Sequence, residues 1–132
     1  MQKRLRSIVA DDDPQMLAAV ASSVAECGIE VTRVDSGAEL VRRLASPDAD
    51  RYDLIVTDVS MPWMSGLQVA RAAQQAGLQT PTLFITALKD HNIDVQIDAL
   101  GKNALLLRKP FGLDQLIDAI HSLMSGLPKT GA

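Results

Sequence analysis

Aromatic residues are nearly missing from this chain: one Trp, one Tyr and two Phe stand among 132 residues. A core must therefore be filled by aliphatic, Ala and Met side chains. The 47% hydrophobic content supplies them, and the length suits one domain able to bury them. Cysteine is reduced to Cys27, which excludes an intrachain disulfide and a multi-cysteine metal site. It reads as a small buried apolar side chain near a helix end, not as a redox group. An excess of positive charge is missing too. The net charge is −3, from 13 basic and 16 acidic side chains, so no direct nucleic-acid binding is expected. The short clusters Lys3, Arg4, Arg6 and Arg42, Arg43 read as solvated surface. No apolar run approaches the roughly 18 residues of a membrane span, and no secretory leader pattern is present. A soluble, cytoplasmic chain without membrane contact is expected.

What is present is a fivefold alternation of apolar runs and helical patterns. Leu5–Ala10 is the first run. Helical spacing follows over Pro14–Cys27 through Met16, Leu17, Val20 and Val24, with Asp13 as N-cap, Pro14 in the first turn and Gly28 as terminator. After the run Ile29–Val34, Ser36 and Glu39 have the spacing of a capping box, opening a helix through Leu40, Val41 and Leu44. Pro47, Asp48 and Asp50 break it. The run Leu54–Thr57 is apolar to its end, as a strand buried on both faces should be. Ser65 and Gly66 lead into a helix from Leu67 to about Ala76, which Gly77 stops. Thr82–Thr86 is the fourth run, and a helix over Asp90–Leu100 carries Ile93, Ile97 and Leu100 on one face. Ala104–Arg108 is the fifth run, and Leu113–Ser125 is strongly periodic. This is a (βα)5 pattern. It implies an α/β fold with a parallel sheet, doubly wound, carrying helices on both faces. A single domain is expected over 1–126, with 127–132 a short tail or linker. Leu127–Gly131 in that tail resembles a sortase signal, but only Ala132 follows it, so it reads as linker or chance.

In such sheets ligands sit beyond the carboxyl ends of the strands, where the winding reverses. The first run is followed by Asp11, Asp12 and Asp13, the third by Asp58, and the fifth by Lys109 and Pro110, while the fourth ends at Thr86 and Ala87. Clustered carboxylates repel one another and need a cation to stay ionised together. All-oxygen ligation with room for water and phosphate favours Mg2+. A carboxylate can also attack phosphorus to give an acyl phosphate, with an ammonium group and a hydroxyl to balance charge on the phosphoryl oxygens. Asp13 reads as a helix cap only.

The segments IVADDDP, DLIVTDVSMPWMSG, LFITA and LLLRKPF resemble the markers of response-regulator receiver domains, in the same order and over about residues 5 to 125. The resemblance implies the CheY-like, flavodoxin-like strand order 2-1-3-4-5. It implies Asp58 as phosphoacceptor, with Asp11, Asp12, Asp58 and the backbone carbonyl of Ser60 around Mg2+. Lys109 would pair with Asp58 at rest and with the phosphoryl group afterwards, and Thr86 would be the switch hydroxyl. Met61 and Pro62 match the family's loop shape. A histidine kinase or histidine phosphotransfer protein would supply the phosphoryl group. A downstream protein or an output domain would read it on the face of the fourth helix, fifth strand and fifth helix, and dimerisation on phosphorylation fits the family. Such a chain is no enzyme on a separate substrate; it promotes its own phosphotransfer and dephosphorylation.

Four positions depart from the family pattern. Leu106 replaces the usual Tyr or Phe three residues before Lys-Pro, which alters the step that reports phosphorylation. Lys102-Asn103 replaces Gly-Ala, and Trp63 stands where a small residue is common, as a partly exposed packing residue. The main alternative is a phosphate-independent pseudo-receiver that binds a protein. A haloacid-dehalogenase-type hydrolase is disfavoured by Ser60 two positions after Asp58, and an FMN site by the repulsion of three carboxylates.

Overall fold

Each apolar run forms a strand and each periodic segment a helix in the computed structural model, which describes residues 4–46, 52–61, 65–101 and 103–125. Lys3, the breaker group Pro47, Asp48 and Asp50, the loop residues Pro62 and Trp63, Lys102, and the tail from 126 onward lie outside the described residues. The elements are β1 (Arg6–Ala10), α1 (Pro14–Glu26), β2 (Glu30–Val34), α2 (Gly37–Leu44), β3 (Leu54–Asp58), α3 (Gly66–Gln75), β4 (Thr82–Thr86), α4 (His91–Asp98), β5 (Ala104–Arg108) and α5 (Leu113–Ser125). The strands form one parallel sheet in the order β2-β1-β3-β4-β5, as expected for a doubly wound flavodoxin-like fold.

Successive strand side chains point to opposite faces, and this divides the core. Val9, Val56, Leu83 and Ile85 face Val20 and Val24 of α1 and Leu116, Ile120 and Leu123 of α5. Ile8, Ala10 and Ile55 face Leu40 and Leu44 of α2 and Val69 of α3. Phe84 completes the second face with Leu67, Ile93 and Ile97, under α3 and α4. The central strands β3 and β4 are buried along their whole length. At the edge, β5 is half-buried at every residue, although its sequence is no less apolar.

The helix signals hold with local differences. Asp13 caps α1, its carboxylate accepting from the Gln15 N–H, and Pro14 opens the first turn. Gly28 sits at φ 82°, a conformation open to glycine. Ser36 caps α2 through the Glu39 N–H, but the return half of that box is not made. The Glu39 carboxylate instead binds Arg42 and Arg43 on the next turn, and their guanidinium groups hold it below the usual carboxylate range. The complete capping box belongs to α3, between Ser65 and Gln68. One surface expectation, at Arg6, and the full burial expected of Cys27 need correction. Arg6 is half-buried, its guanidinium 5.0 Å from the centre of the Tyr52 ring, because a strand residue beside a loop aromatic has a stacking partner. Cys27 is half-buried at the α1 C-cap, where burial pushes its thiol up.

Candidate functional site

The acidic residues meet because β1 and β3 are neighbours at the point where the winding reverses. Asp11 follows β1 and is 3% exposed, while Asp58 ends β3 and is 7% exposed. Asp12 is exposed. One carboxylate oxygen from each of the three lies within 4.8 Å of the others. The apolar run predicts a strand that ends at Thr57. The ladder instead continues through Asp58, which pairs in register with Ile85 of β4, so the acid stands on rigid strand rather than on loop.

Each buried carboxylate is held. The Asp13 N–H donates to Asp11 Oδ1 at 2.9 Å and the Ser60 N–H donates to Asp58 Oδ1 at 2.8 Å, both two residues ahead in their loops. From across the sheet edge, Lys109 places its Nζ 3.3 Å from Asp58 Oδ2 and 3.7 Å from Asp11 Oδ2. Lys109 follows β5, and its own N–H donates to the Thr86 carbonyl at 2.7 Å. The Lys109–Pro110 bond is cis.

Burial pushes the Asp11 carboxyl above its ordinary range, and the charges of Asp58 and Asp12 add to that. The Asp13 N–H and Lys109 oppose it. One ammonium group thus lies against two of three clustered carboxylates. An all-oxygen donor set of this kind, partly open to solvent at Asp12, fits a hard divalent cation such as Mg2+.

Close approach of α3 to β3 completes the loop. A Cβ on Gly66 would clash with the Asp58 carbonyl and stand 2.7 Å from Thr57 Oγ1. The Gly66 N–H donates to the Val59 carbonyl at 3.0 Å. Met61 is buried against the α2–α3 side of the core.

Thr86 is fully buried at the end of β4. Its hydroxyl accepts from the Leu88 N–H at 3.0 Å, closing a turn within its own loop. Ala87 and Ser60 are exposed. Leu106 is half-buried and packs on Val59, Leu67, Phe84, Ile93 and Ile97, on the α3–α4 side of the sheet. In the altered loop before β5, Asn103 donates from its side chain to the Gln79 carbonyl at 3.3 Å.

The structure therefore brings Asp11, Asp12, Asp58 and Lys109 together, with Thr86 on the adjoining strand end. Three further contributors leave little trace in the sequence. The Ser60 N–H is one, because a backbone donor leaves no side-chain signature. Gly66, by its sequence position, announces only a helix start. Arg108, at the last position of β5, binds both oxygens of Asp94 in α4 at 2.9 Å and also the Leu88 carbonyl. Period-2 alternation puts Arg108 on the same face as Leu106, the side that α4 covers, and this is the available hint.

Residues 8–121 match the family model described as the response regulator receiver domain. Among curated proteins, the chain is 30% identical over 119 residues to the response regulator receiver protein CpdR of Brucella abortus, covering 90% of this chain and 96% of that one. It is 29% identical over 118 residues to the DNA-binding transcriptional regulator NtrC of Escherichia coli, covering 89% of this chain but only 24% of NtrC. Among solved structures, a response regulator receiver protein from Sinorhizobium medicae superposes with a TM-score of 0.82 at 29% identity, covering 94% of this chain and 97% of that one.

Proposed function

Because this chain belongs to the response regulator receiver domain family, we propose that it accepts a phosphoryl group on Asp58 from a histidine kinase or histidine phosphotransfer protein and so acts as a conformational switch. The observation that carries this reading is the Asp58 carboxylate itself. It is held on one oxygen by the Ser60 N–H and on the other by Lys109, beside Asp11 and Asp12.

In the proposed reaction a carboxylate oxygen of Asp58 bonds to phosphorus while the bond from phosphorus to the donor's imidazole nitrogen breaks. That nitrogen keeps the electron pair. Lys109 moves its charge from Asp58 to a phosphoryl oxygen, and the Thr86 hydroxyl donates to another. Asp11, Asp12, Asp58 and the backbone carbonyl of Ser60 are the proposed Mg2+ ligands. When bound, Mg2+ supplies positive charge that offsets the phosphoryl oxygens. Exposed Ala87 leaves the approach open. No separate substrate is turned over: the chain promotes its own phosphorylation and, with water as acceptor, its own dephosphorylation.

The output face is assigned to α4, β5 and α5, where Val95 is 66% and Leu113 58% exposed. Those side chains suit an apolar contact with a downstream protein, an output domain or a second phosphorylated copy. A cytoplasmic location fits these partners; no described helix is long and apolar enough to cross a membrane.

Incubation with acetyl phosphate and Mg2+, read by intact mass, tests the proposal. A phosphoryl adduct is expected on the wild type, absent with EDTA and absent in Asp58→Asn. No wild-type adduct despite demonstrated Mg2+ binding would instead favour the phosphate-independent binding module.

A further inference from the structure

We propose that Arg108 is a positioning residue for the Thr86 hydroxyl, acting through the main chain of Leu88 to restrain it in the resting arrangement. Its functional meaning rests on the phosphoacceptor reading of Asp58. The connection is continuous. Arg108 grips Asp94 of α4 with one nitrogen, Nη2, at 2.9 Å to each carboxylate oxygen, and its Nη1 donates to the Leu88 carbonyl. The N–H of the same Leu88 donates to Thr86 Oγ1 at 3.0 Å. One residue of the β4–α4 loop is thus held from both of its peptide groups, by a strand-end cation on one side and by the Thr86 hydroxyl on the other.

The arrangement has a direction. Thr86 Oγ1 is hydrogen-bonded to its own loop, and among the described residues it makes no hydrogen bond to Asp58, whose partners are Ser60 and Lys109. Turning the hydroxyl toward a group on Asp58 gives up the Leu88 N–H. That N–H then needs a new partner, so the loop must move with it. Arg108 opposes the movement, because the Leu88 carbonyl must give up its donor to move, and that donor is anchored to α4 by Asp94. Leu106 packs on the α3–α4 side and carries no polar atom that could do this. In this chain the coupling of Thr86 to α4 therefore runs through an ion pair. A lysine could not replace it, since a single ammonium lacks the two-sided reach of the guanidinium.

The test uses the whole chain and two readouts. In the resting protein, Arg108→Ala is expected to speed amide exchange at Leu88 by about tenfold or more and to average the Thr86 side-chain torsion in scalar-coupling measurements. Arg108→Lys should behave like Arg108→Ala, and Asp94→Asn should give the same change to a lesser degree. In the presence of Mg2+, beryllofluoride should bind Arg108→Ala about threefold to tenfold more tightly than wild type, because a restraint on the resting state has been removed. Leu88 exchange and Thr86 torsion unchanged in Arg108→Ala would overturn the positioning role. Faster exchange with equal or weaker beryllofluoride binding would overturn the restraint. If the wild type bound no beryllofluoride at all, the phosphoacceptor reading would fail, while the resting-state measurements would still decide what Arg108 holds.

Discussion

Lys109 and Asp58 are 51 positions apart in sequence, yet Nζ of one stands 3.3 Å from Oδ2 of the other. Lys109 reaches Asp58 over the end of β4, the strand that lies between them in the sheet, and it also lies 3.7 Å from Asp11. A single cation thus occupies the ground that a divalent ion would share. Lys109→Met should bind Mg2+ more tightly, since a repelling charge is gone, but should take a phosphoryl group from acetyl phosphate about a hundredfold more slowly. Mg2+ titration and time-resolved intact mass read the two effects separately. A variant that lost both together would show that Lys109 only supports the fold.

Asp11 carries a pH dependence with a definite sign. Burial, ahead of the neighbouring negative charges, raises its folded-state pKa above the ordinary value of 3.8. Between these two values the folded chain binds more protons than the unfolded one, so the contribution of Asp11 to stability falls as pH rises through that window. At neutral pH without metal the ionised group is a cost. Asp11→Asn should therefore raise the urea midpoint at pH 7 in EDTA, and its advantage should vanish below the ordinary pKa. In Mg2+ the order should reverse. An ion present at a hundred times its Kd stabilises the wild type by about 2.7 kcal/mol, and the variant forfeits much of that.

Gly66 tests how closely α3 must approach the acid loop. Gly66→Ala places a methyl group against the Asp58 carbonyl and Thr57 Oγ1, and should lower stability by about 1–3 kcal/mol. Because Asp58 is the residue displaced, Mg2+ affinity should drop as well. Urea unfolding with an unchanged slope, together with a metal titration, would show both.

Leu106 separates stability from chemistry. It faces the α3–α4 side of the core and not the carboxylates. Leu106→Ala should cost roughly 1–2 kcal/mol, at or below the lower end of the range for fully buried leucines because the side chain is half-buried. The rate of phosphoryl uptake from acetyl phosphate should change little. A large loss of uptake in a folded variant would place Leu106 in the reaction rather than beside it.

The sheet and its edge of acids were legible because they depend on patterns that survive in one dimension. The apolar run that stops before Asp58, the three acids after β1 and the lysine after β5 mark strand ends whatever the details of packing. Asp13 and Ser36 were legible as caps for the same reason: a cap is a local hydrogen bond. Glu39 was not, because two arginines on its own helix compete for its carboxylate and win. The half-burial of β5 was also hidden, since an edge strand and a central strand can share one composition. What remained unreadable were connections made by backbone groups across the fold. The Ser60 N–H on Asp58 and the Leu88 peptide between Thr86 and Arg108 depend on loop geometry that no side-chain identity encodes.

The bond from the Lys109 N–H to the Thr86 carbonyl, at 2.7 Å, sets a limit on what can move. The two residues that would meet a phosphoryl group from different sides are stitched together at the main chain, Thr86 as the last residue of β4 and Lys109 as the first after β5. Their spacing is therefore a fixed ruler, and any rearrangement falls on side-chain torsions and on the loop at 87–90. Deuterium uptake should divide accordingly: the Lys109 amide should exchange only on global opening, in resting and modified protein alike, while the Leu88 amide keeps its own faster clock.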